Sequence, residues 1–506
     1  MKPSAIGLLM VMIFLIGCQS VSPVRRLEGP RSPKQLKNAV EQILQEEQFE
    51  NGTWAVLITD LSTDAVLYRH NEKKSFIPAS NTKLYTTSAA LEQLGPEFTY
   101  ETAVFIDGPV VDGVLEGNVI VRGSGDPVIG GRFNGGDLTE TFRNWADSLT
   151  SRGIRTIKGD IIGDDDIFDD TPLGYGWSWD DEPYWYSAEI SGLSFNDNNI
   201  DFTITAQNPG MPGVISWEPA NTSFARITNS TISIDPDSSL TEGYSRERGT
   251  NSFLLSSKVP QGRVDRESLT VRNPTLFFVH VLRETLLSSG ISVVGRPVDV
   301  DDLSIKPDDT RREMVRVATH KSKPLKDIVT VLNKRSQNLY AEQLLRTLGA
   351  TYPVDDPDLE PGSAEMGIAR AMETYLAAGI DTSRLQLVDG SGLSRMNLVT
   401  AEMTSSLLGY MYRHDDDSTR AAFYRSLPIG GVDGTLKSRM TSGPAFGKVH
   451  AKTGTVSNVS TISGYVQSDA GTPLSFVLMA NHYTVKTAAV RDAQDRIIEL
   501  LATYRR

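Results

Sequence analysis

Ser80-Asn81-Thr82-Lys83 is the only Ser-x-x-Lys in the 506-residue chain. Residues three apart on a helix share a face, so this spacing sets a hydroxyl beside an amine. Serine is a weak nucleophile until a base takes its proton. A lysine can be that base only where burial or a neighbouring cation lowers its pKa. A helix N-terminus at Ser80 would also favour the negative charge that builds up during attack. Lys452-Thr453-Gly454 is likewise unique. A lysine on a strand can aim at the same site. Thr453 and the nearby Thr455 can hold an anionic end of a substrate, and Gly454 removes a Cβ where substrate backbone would approach. Ser-x-Asn occurs twice, as Ser194-Phe195-Asn196 and Ser336-Gln337-Asn338. The second lies between two helical stretches, where a loop can project both side chains into a site. It is the expected partner of the other two motifs. His450, beside the Lys-Thr-Gly motif, reads as structural.

The elements that must position these residues come from both ends of the chain. Ser32 to Phe49 reads as a helix, with Pro33 behind a Ser32 cap. Thr53 to Leu61 and Ala65 to Tyr68 read as a hairpin. Pro78 precedes a helical stretch from Asn81 to Leu94. From about Phe98 to about Val300 short β-rich runs alternate with Gly and Asp turns, and Pro274 to Ser289 is the one strong helix. The acidic run from Asp164 to Asp170 lacks calcium-loop spacing and reads as a solvated turn. Helical texture returns at Leu325 to Leu332 and Leu339 to Leu348. Thr461 to Val466 and Leu474 to Ala480 alternate like paired strands, and Lys486 to Tyr504 reads as a closing amphipathic helix. Strands and helices at both ends predict one sheet shared between them, with the middle block inserted. The expected class is α+β. An antiparallel sheet flanked by helices would occupy 32–97 and 310–506, and a β-rich insertion of one or two modules 98–309.

Taken in order, Ser-x-x-Lys, Ser-x-Asn and Lys-Thr-Gly resemble the motifs of the penicillin-recognising serine acyltransferases, the β-lactamases and penicillin-binding proteins. The stretch between Lys83 and Ser336 is far longer than a β-lactamase has. In this it is similar to the D-Ala-D-Ala carboxypeptidase/endopeptidase group, penicillin-binding protein 4 type, which carries inserted domains there. Pro78-Ala79-Ser80, Arg122 to Pro127, Trp177 to Asn199, Asp389 to Arg395 and Gly447 to Gly454 also match. Gln337 departs mildly, since many relatives have Asp there. The resemblance implies a β-lactamase/transpeptidase-like domain and a serine DD-peptidase of peptidoglycan stem peptides that β-lactams acylate, with no cofactor and no metal. By the same resemblance Ser80 attacks the carbonyl of the penultimate D-Ala, with Lys83 as its expected base. Ser336 and Lys452 relay a proton to the leaving D-Ala. Asn338 holds the substrate amide, and Thr453 and Thr455 bind the terminal carboxylate. The backbone N–H groups of Ser80 and Thr455 form the oxyanion hole. In relatives an acid and an aromatic of the insertion contact the free amine of the diamino acid; Asp164 and Phe168 are the candidates. A β-lactamase and a non-catalytic wall-binding lipoprotein are the competing readings. The balance of carboxypeptidase against endopeptidase, and the identity of the general base, stay open at this point.

Composition narrows the setting. Net charge is −13, which argues against a nucleic-acid partner. Hydrophobic residues make up 39% and charged residues 22%, ordinary for a globular chain rather than a polytopic membrane protein. A single cysteine excludes an intrachain disulfide or a multi-cysteine metal site. That cysteine, Cys18, follows a positive Lys2 and an apolar run from Ile6 to Ile16, too short to span a membrane but right for a signal peptide. Leu15-Ile16-Gly17-Cys18 resembles the bacterial lipobox, which implies cleavage after residue 17 and lipidation of Cys18. Gln19 follows, not the Asp that often retains such proteins at the inner membrane. The expected address is therefore the periplasmic side of the outer membrane. Residues 18–31 are polar and read as a tether. The acidic body leaves anchoring to lipid rather than charge.

Overall fold

The structure, a computed structural model, describes residues 29–307 and 313–505. The lipobox, Cys18 and most of the tether lie outside the described residues.

Both chain ends build one antiparallel sheet. Its strand order is Val66–His70, Thr53–Asp60, Pro473–Asn481, Val459–Gln467, Val449–Val456. Successive side chains on a strand point to opposite faces, and the apolar residues divide accordingly. Trp54, Val56, Ile58, Phe476 and Leu478 pack with helices Pro33–Leu44 and Thr487–Ala502. Ala55, Leu57, Val477 and Met479 face the opposite way, into a core shared with helices Thr82–Gln93 and Ala401–Tyr412. The first helix opens as its sequence predicts: Ser32 Oγ accepts the Gln35 N–H and Pro33 takes the first turn.

The middle block packs around a large apolar core of its own, with a small satellite at Ile120, Ile162 and Val300. That core draws on Val104, Val121, Phe142, Ile200, Phe253, Phe277 and others along the whole block. Its largest sheet has the order Pro297–Asp299, Ile161–Asp164, Val119–Arg122, Glu101–Ile106, Val315–Lys321. The last of these strands corrects the boundary drawn from sequence. Residues 315–321 pair antiparallel with 101–106, so the insertion runs to Lys321 rather than ending at 309. The acidic run is also less solvated than its composition suggests. Asp164, Asp166 and Asp169 are held by Arg122, Lys306 and Arg346, and Asp165 accepts hydrogen bonds from Ser191 and Thr275.

Candidate active site

Ser80 stands on a turn that the C-terminal strands lock. Ala79, just before Ser80, has φ +46°, in the left-handed region that disfavours a Cβ. Such strain persists only where neighbours over-determine it, and here they do. Thr461 Oγ1 donates to Pro78 O at 2.8 Å, Asn481 Oδ1 accepts the Ile77 N–H at 2.8 Å, and Asn81 Nδ2 donates to Ser463 Oγ at 2.7 Å. The helix Thr82–Gln93 then carries Lys83 one turn inward.

Lys83 has no solvent exposure. Its Nζ lies 3.2 Å from Ser80 Oγ and donates to Asn338 Oδ1 and to Ser391 O, both at 2.6 Å. Burial pulls its pKa down to about 7, against the opposing pull of Asp389 and Glu342. A second couple faces the first. Lys452 is equally buried, and its Nζ donates to Ser336 Oγ at 2.8 Å and to Thr453 O at 2.7 Å. Burial, then the Lys83 charge, holds it well below the usual lysine range. Ser336 is delivered by a left-handed C-cap, φ +61°, at the end of helix Leu325–Arg335. The next helix starts at Asn338. Asn338 ties three pieces together: its Oδ1 accepts from Lys83, and its Nδ2 donates to Tyr186 O of the insertion at 2.6 Å. One amide N–H remains for a substrate.

These groups open onto a groove of about 1080 Å³ between the insertion and the sheet domain, lined by Ser80, Ser336, Asn338, Thr453 and Thr455 among others. Thr453 Oγ1 donates to Thr435 Oγ1 at 2.7 Å, and Arg491 donates to Thr455 Oγ1 at 3.1 Å.

The chain matches the D-Ala-D-Ala carboxypeptidase 3 (S13) family over residues 36–504. It is 33% identical over 483 residues to the D-alanyl-D-alanine carboxypeptidase of Actinomadura sp. strain R39, spanning 93% of this chain and 85% of that one. The chain belongs to the D-Ala-D-Ala carboxypeptidase 3 (S13) family. It is 26% identical over 445 residues to the D-alanyl-D-alanine carboxypeptidase DacB of Haemophilus influenzae, spanning 86% of each. The crystal structure of penicillin binding protein 4 from Haemophilus influenzae superposes with a TM-score of 0.77 at 25% identity, covering 92% of this chain and 99% of that one. The fold is thus the penicillin-binding protein 4 type, transpeptidase-like with an insertion, and the protein is a serine-type D-Ala-D-Ala carboxypeptidase.

Two sequence assignments change in this S13 carboxypeptidase. Asp164 is buried in a strand and bound to Arg122 Nε at 2.8 Å, and Phe168 is core, its ring filling the space beside Gly125. Neither lines the groove. The acids and aromatics that do are Asp180, Asp181, Trp177, Trp179, Trp185 and Tyr186. Gly454 has a packing role of its own. A Cβ there would sit 2.8 Å from both Pro78 O and Ser80 N, so glycine lets the strand close on the back of the nucleophile turn.

Three groups of this carboxypeptidase have roles that the sequence did not assign. Glu342, without exposure, accepts the Gly390 and Ser391 N–H groups at 3.1 and 2.8 Å. It thereby aims Ser391 O at Lys83, and Arg346 balances its charge at 3.5 Å. Asp389 accepts the Gly392 and Ser394 N–H groups and Trp177 Nε1 at 2.8, 2.7 and 3.0 Å, fastening the insertion to the 389–395 loop. Arg491 sets a cation on Thr455. Its one signal is a basic residue near the start of the last helix, too common to single out.

Proposed function

We propose that the chain cleaves the D-Ala-D-Ala ends of peptidoglycan stem peptides through a Ser80 acyl-enzyme and is acylated by penicillins at the same residue. One observation carries this reading: two buried lysines of depressed pKa each touch a serine hydroxyl inside one groove. Lys83 takes the Ser80 proton as Oγ attacks the penultimate D-Ala carbonyl. The Ser80 and Thr455 N–H groups receive the oxyanion, worth roughly 3–4 kcal/mol per donor in a well-measured protease. Ser336 and Lys452 pass a proton to the leaving amine. Thr453 and Thr455, backed by Arg491, bind the terminal carboxylate. Asn338 offers its free N–H to the substrate amide. Asp180 and Asp181, among the groove's tryptophans, take the free amine of a diamino acid, the role the sequence had offered to Asp164 and Phe168. Among the described residues, these two aspartates are the only carboxylates that line the groove. Incubation with purified muropeptides, followed by mass analysis, should show loss of one D-Ala from pentapeptides. Pentapeptides that come back intact refute the proposal.

We propose too that lipid on Cys18 anchors the enzyme on the periplasmic side of the outer membrane. The Leu15-Ile16-Gly17-Cys18 stretch and the acidic body support this. No helix among the described residues is long and apolar enough to cross a membrane. Detergent should release the protein from membranes and high salt should not. Release by salt, or an unmodified Cys18, rules the anchor out.

A further inference from the structure

The 389–395 loop supplies one of the two oxygens that hold the Lys83 amine, Ser391 O at 2.6 Å from Nζ. The other side of the same peptide is engaged as well. The Ser391–Gly392 peptide presents its C=O to Lys83 and its N–H to Asp389 Oδ1, the latter at 2.8 Å. Asp389 therefore reaches the Lys83 amine through a single peptide group. Hydrogen bonds joined in such a chain polarise one another, and they do so most where the local dielectric is low. Lys83 and Ser391 have no solvent exposure and Asp389 has 1%. The peptide is also fixed in place. Gly392 has φ +79°, and a Cβ there would collide with Ala79 O, so glycine lets the loop close against the turn that carries Ser80.

Asp389 is surrounded as a carboxylate is. Oδ1 accepts the Gly392 N–H at 2.8 Å and Asn397 Nδ2 at 2.7 Å; Oδ2 accepts the Ser394 N–H at 2.7 Å and Trp177 Nε1 at 3.0 Å. The Asn397 amide is oriented by the Val388 N–H, which donates to its Oδ1 at 2.8 Å. All these partners are donors, and together they fill the acceptor sites of an ionised carboxyl. The other charges around Lys83 come from separate elements. Glu342, on the helix Asn338–Thr351, is offset by Arg346 at 3.5 Å, and its donors belong to the two peptides before the one that touches Lys83. Lys452, on the strand Val449–Val456, is repelled by the Lys83 charge. Of the two acids that oppose burial at Lys83, Asp389 has the larger effect. One of its four donors comes from the insertion: Trp177 lines the groove while its Nε1 rests on Oδ2.

Resting on the reading of Lys83 as the base, we propose that Asp389 is a positioning residue for the reaction and that Trp177 couples it to the insertion. Through the Ser391–Gly392 peptide the Asp389 charge holds the amine beside Ser80 Oγ and strengthens its attraction for the serine proton. The Trp177 N–H draws off part of that charge, so the setting of the base depends on the insertion wall being seated. Asp389 itself takes no proton. The proton moves from Ser80 Oγ to Lys83 Nζ, and the carboxylate shapes the field it meets. The signs follow from electrostatics. Without the Asp389 charge the amine stays neutral down to lower pH and is a poorer acceptor. Without the Trp177 N–H the carboxylate is less satisfied, and the amine stays protonated up to higher pH. Two changes on one chain thus act in opposite directions, which disturbed packing alone does not produce.

The test is the pH dependence of kcat/KM on a pentapeptide ending in D-Ala-D-Ala, for the wild type and two variants. Asp389→Asn should move the acid limb down by about one pH unit, the low end of what a neighbouring charge does. It should also lower kcat on the alkaline plateau more than it raises KM, since Thr453, Thr455 and Arg491 are untouched. Trp177→Phe should move the limb up. Acylation by a labelled penicillin, followed against pH by intact mass, should show the same two shifts. A limb that stays at its wild-type position in either variant, or moves the same way in both, overturns the proposal, even where activity falls by one factor at every pH. Should Asp389→Asn fail to fold, Trp177→Phe decides alone: an upward shift supports the chain and an unmoved limb breaks it. Wild-type protein that cleaves the peptide with no acid limb removes Lys83 as the base, and this proposal with it.

Discussion

Ser80→Ala eliminates covalent labelling by penicillin and lowers peptide turnover about a million-fold, the scale seen when a protease loses its serine nucleophile. Two separate observations set this expectation. Among the described residues, the only side chain in hydrogen-bond contact with Ser80 Oγ is Lys83, at 3.2 Å, so nothing else in the turn depends on the hydroxyl. Lys83 also keeps its bonds to Asn338 and Ser391 at 2.6 Å when the hydroxyl is gone. The fold should survive with its melting temperature nearly unchanged, because one net hydrogen bond is worth only about 1 kcal/mol. Substrate binding should survive too, since Thr453, Thr455 and Arg491 are untouched. Intact-mass analysis after exposure to a labelled penicillin decides the matter. An adduct on the Ser80→Ala variant, or one mapped to Ser336 in the wild type, shows that the wrong serine has been named.

What could be read in the sequence was local, and what could not was long-range. Ser80 to Lys83 is a one-turn relation, so its geometry followed from spacing alone. The hairpin at residues 53–70 and the last two strands followed from alternation. The end of the insertion did not, because residues 315–321 are drawn out of the helical half by pairing with 101–106, a contact no local pattern records. Asp164 and Phe168 had suitable chemistry in the right block, but residue type says nothing of Arg122 sitting on one or of Gly125 making room for the other. At Gly454 the sequence suggested room for substrate backbone, and the structure adds a close approach of Pro78 O and Ser80 N, which depends on what packs behind the strand. Glu342 and Arg346 mislead in another way. A Glu and an Arg four apart on a helix read as a solvated pair, yet they are 0% and 1% exposed. Glu342 serves the 389–395 loop, which is distant in sequence, and Arg346 bridges Glu342 to Asp169 of the insertion.

The second large effect concerns Lys83 and has a direction in pH. A neutral amine has two N–H groups and one lone pair. In the structure two strong acceptors, Asn338 Oδ1 and Ser391 O, lie at 2.6 Å and claim both N–H groups. The lone pair is left for the longer, 3.2 Å contact with Ser80 Oγ, which is the arrangement of a base awaiting a proton. Burial makes this state accessible by lowering the pKa to about 7. Below that value the amine is protonated and cannot accept, so kcat/KM should fall about tenfold per pH unit on the acid side and level off above. Burial, and then the Lys83 charge, also hold Lys452 well below the usual lysine range, so the two amines are coupled and the apparent pKa belongs to the pair. Lys83→Gln keeps donors toward Asn338 and Ser391 but carries no basic nitrogen. Turnover should drop by about 10²–10⁴, the usual worth of a general base, and the acid limb should disappear with it. A wild-type profile flat from mildly acid to mildly alkaline pH, or a Lys83→Gln variant that retains the same limb, assigns the base to another group.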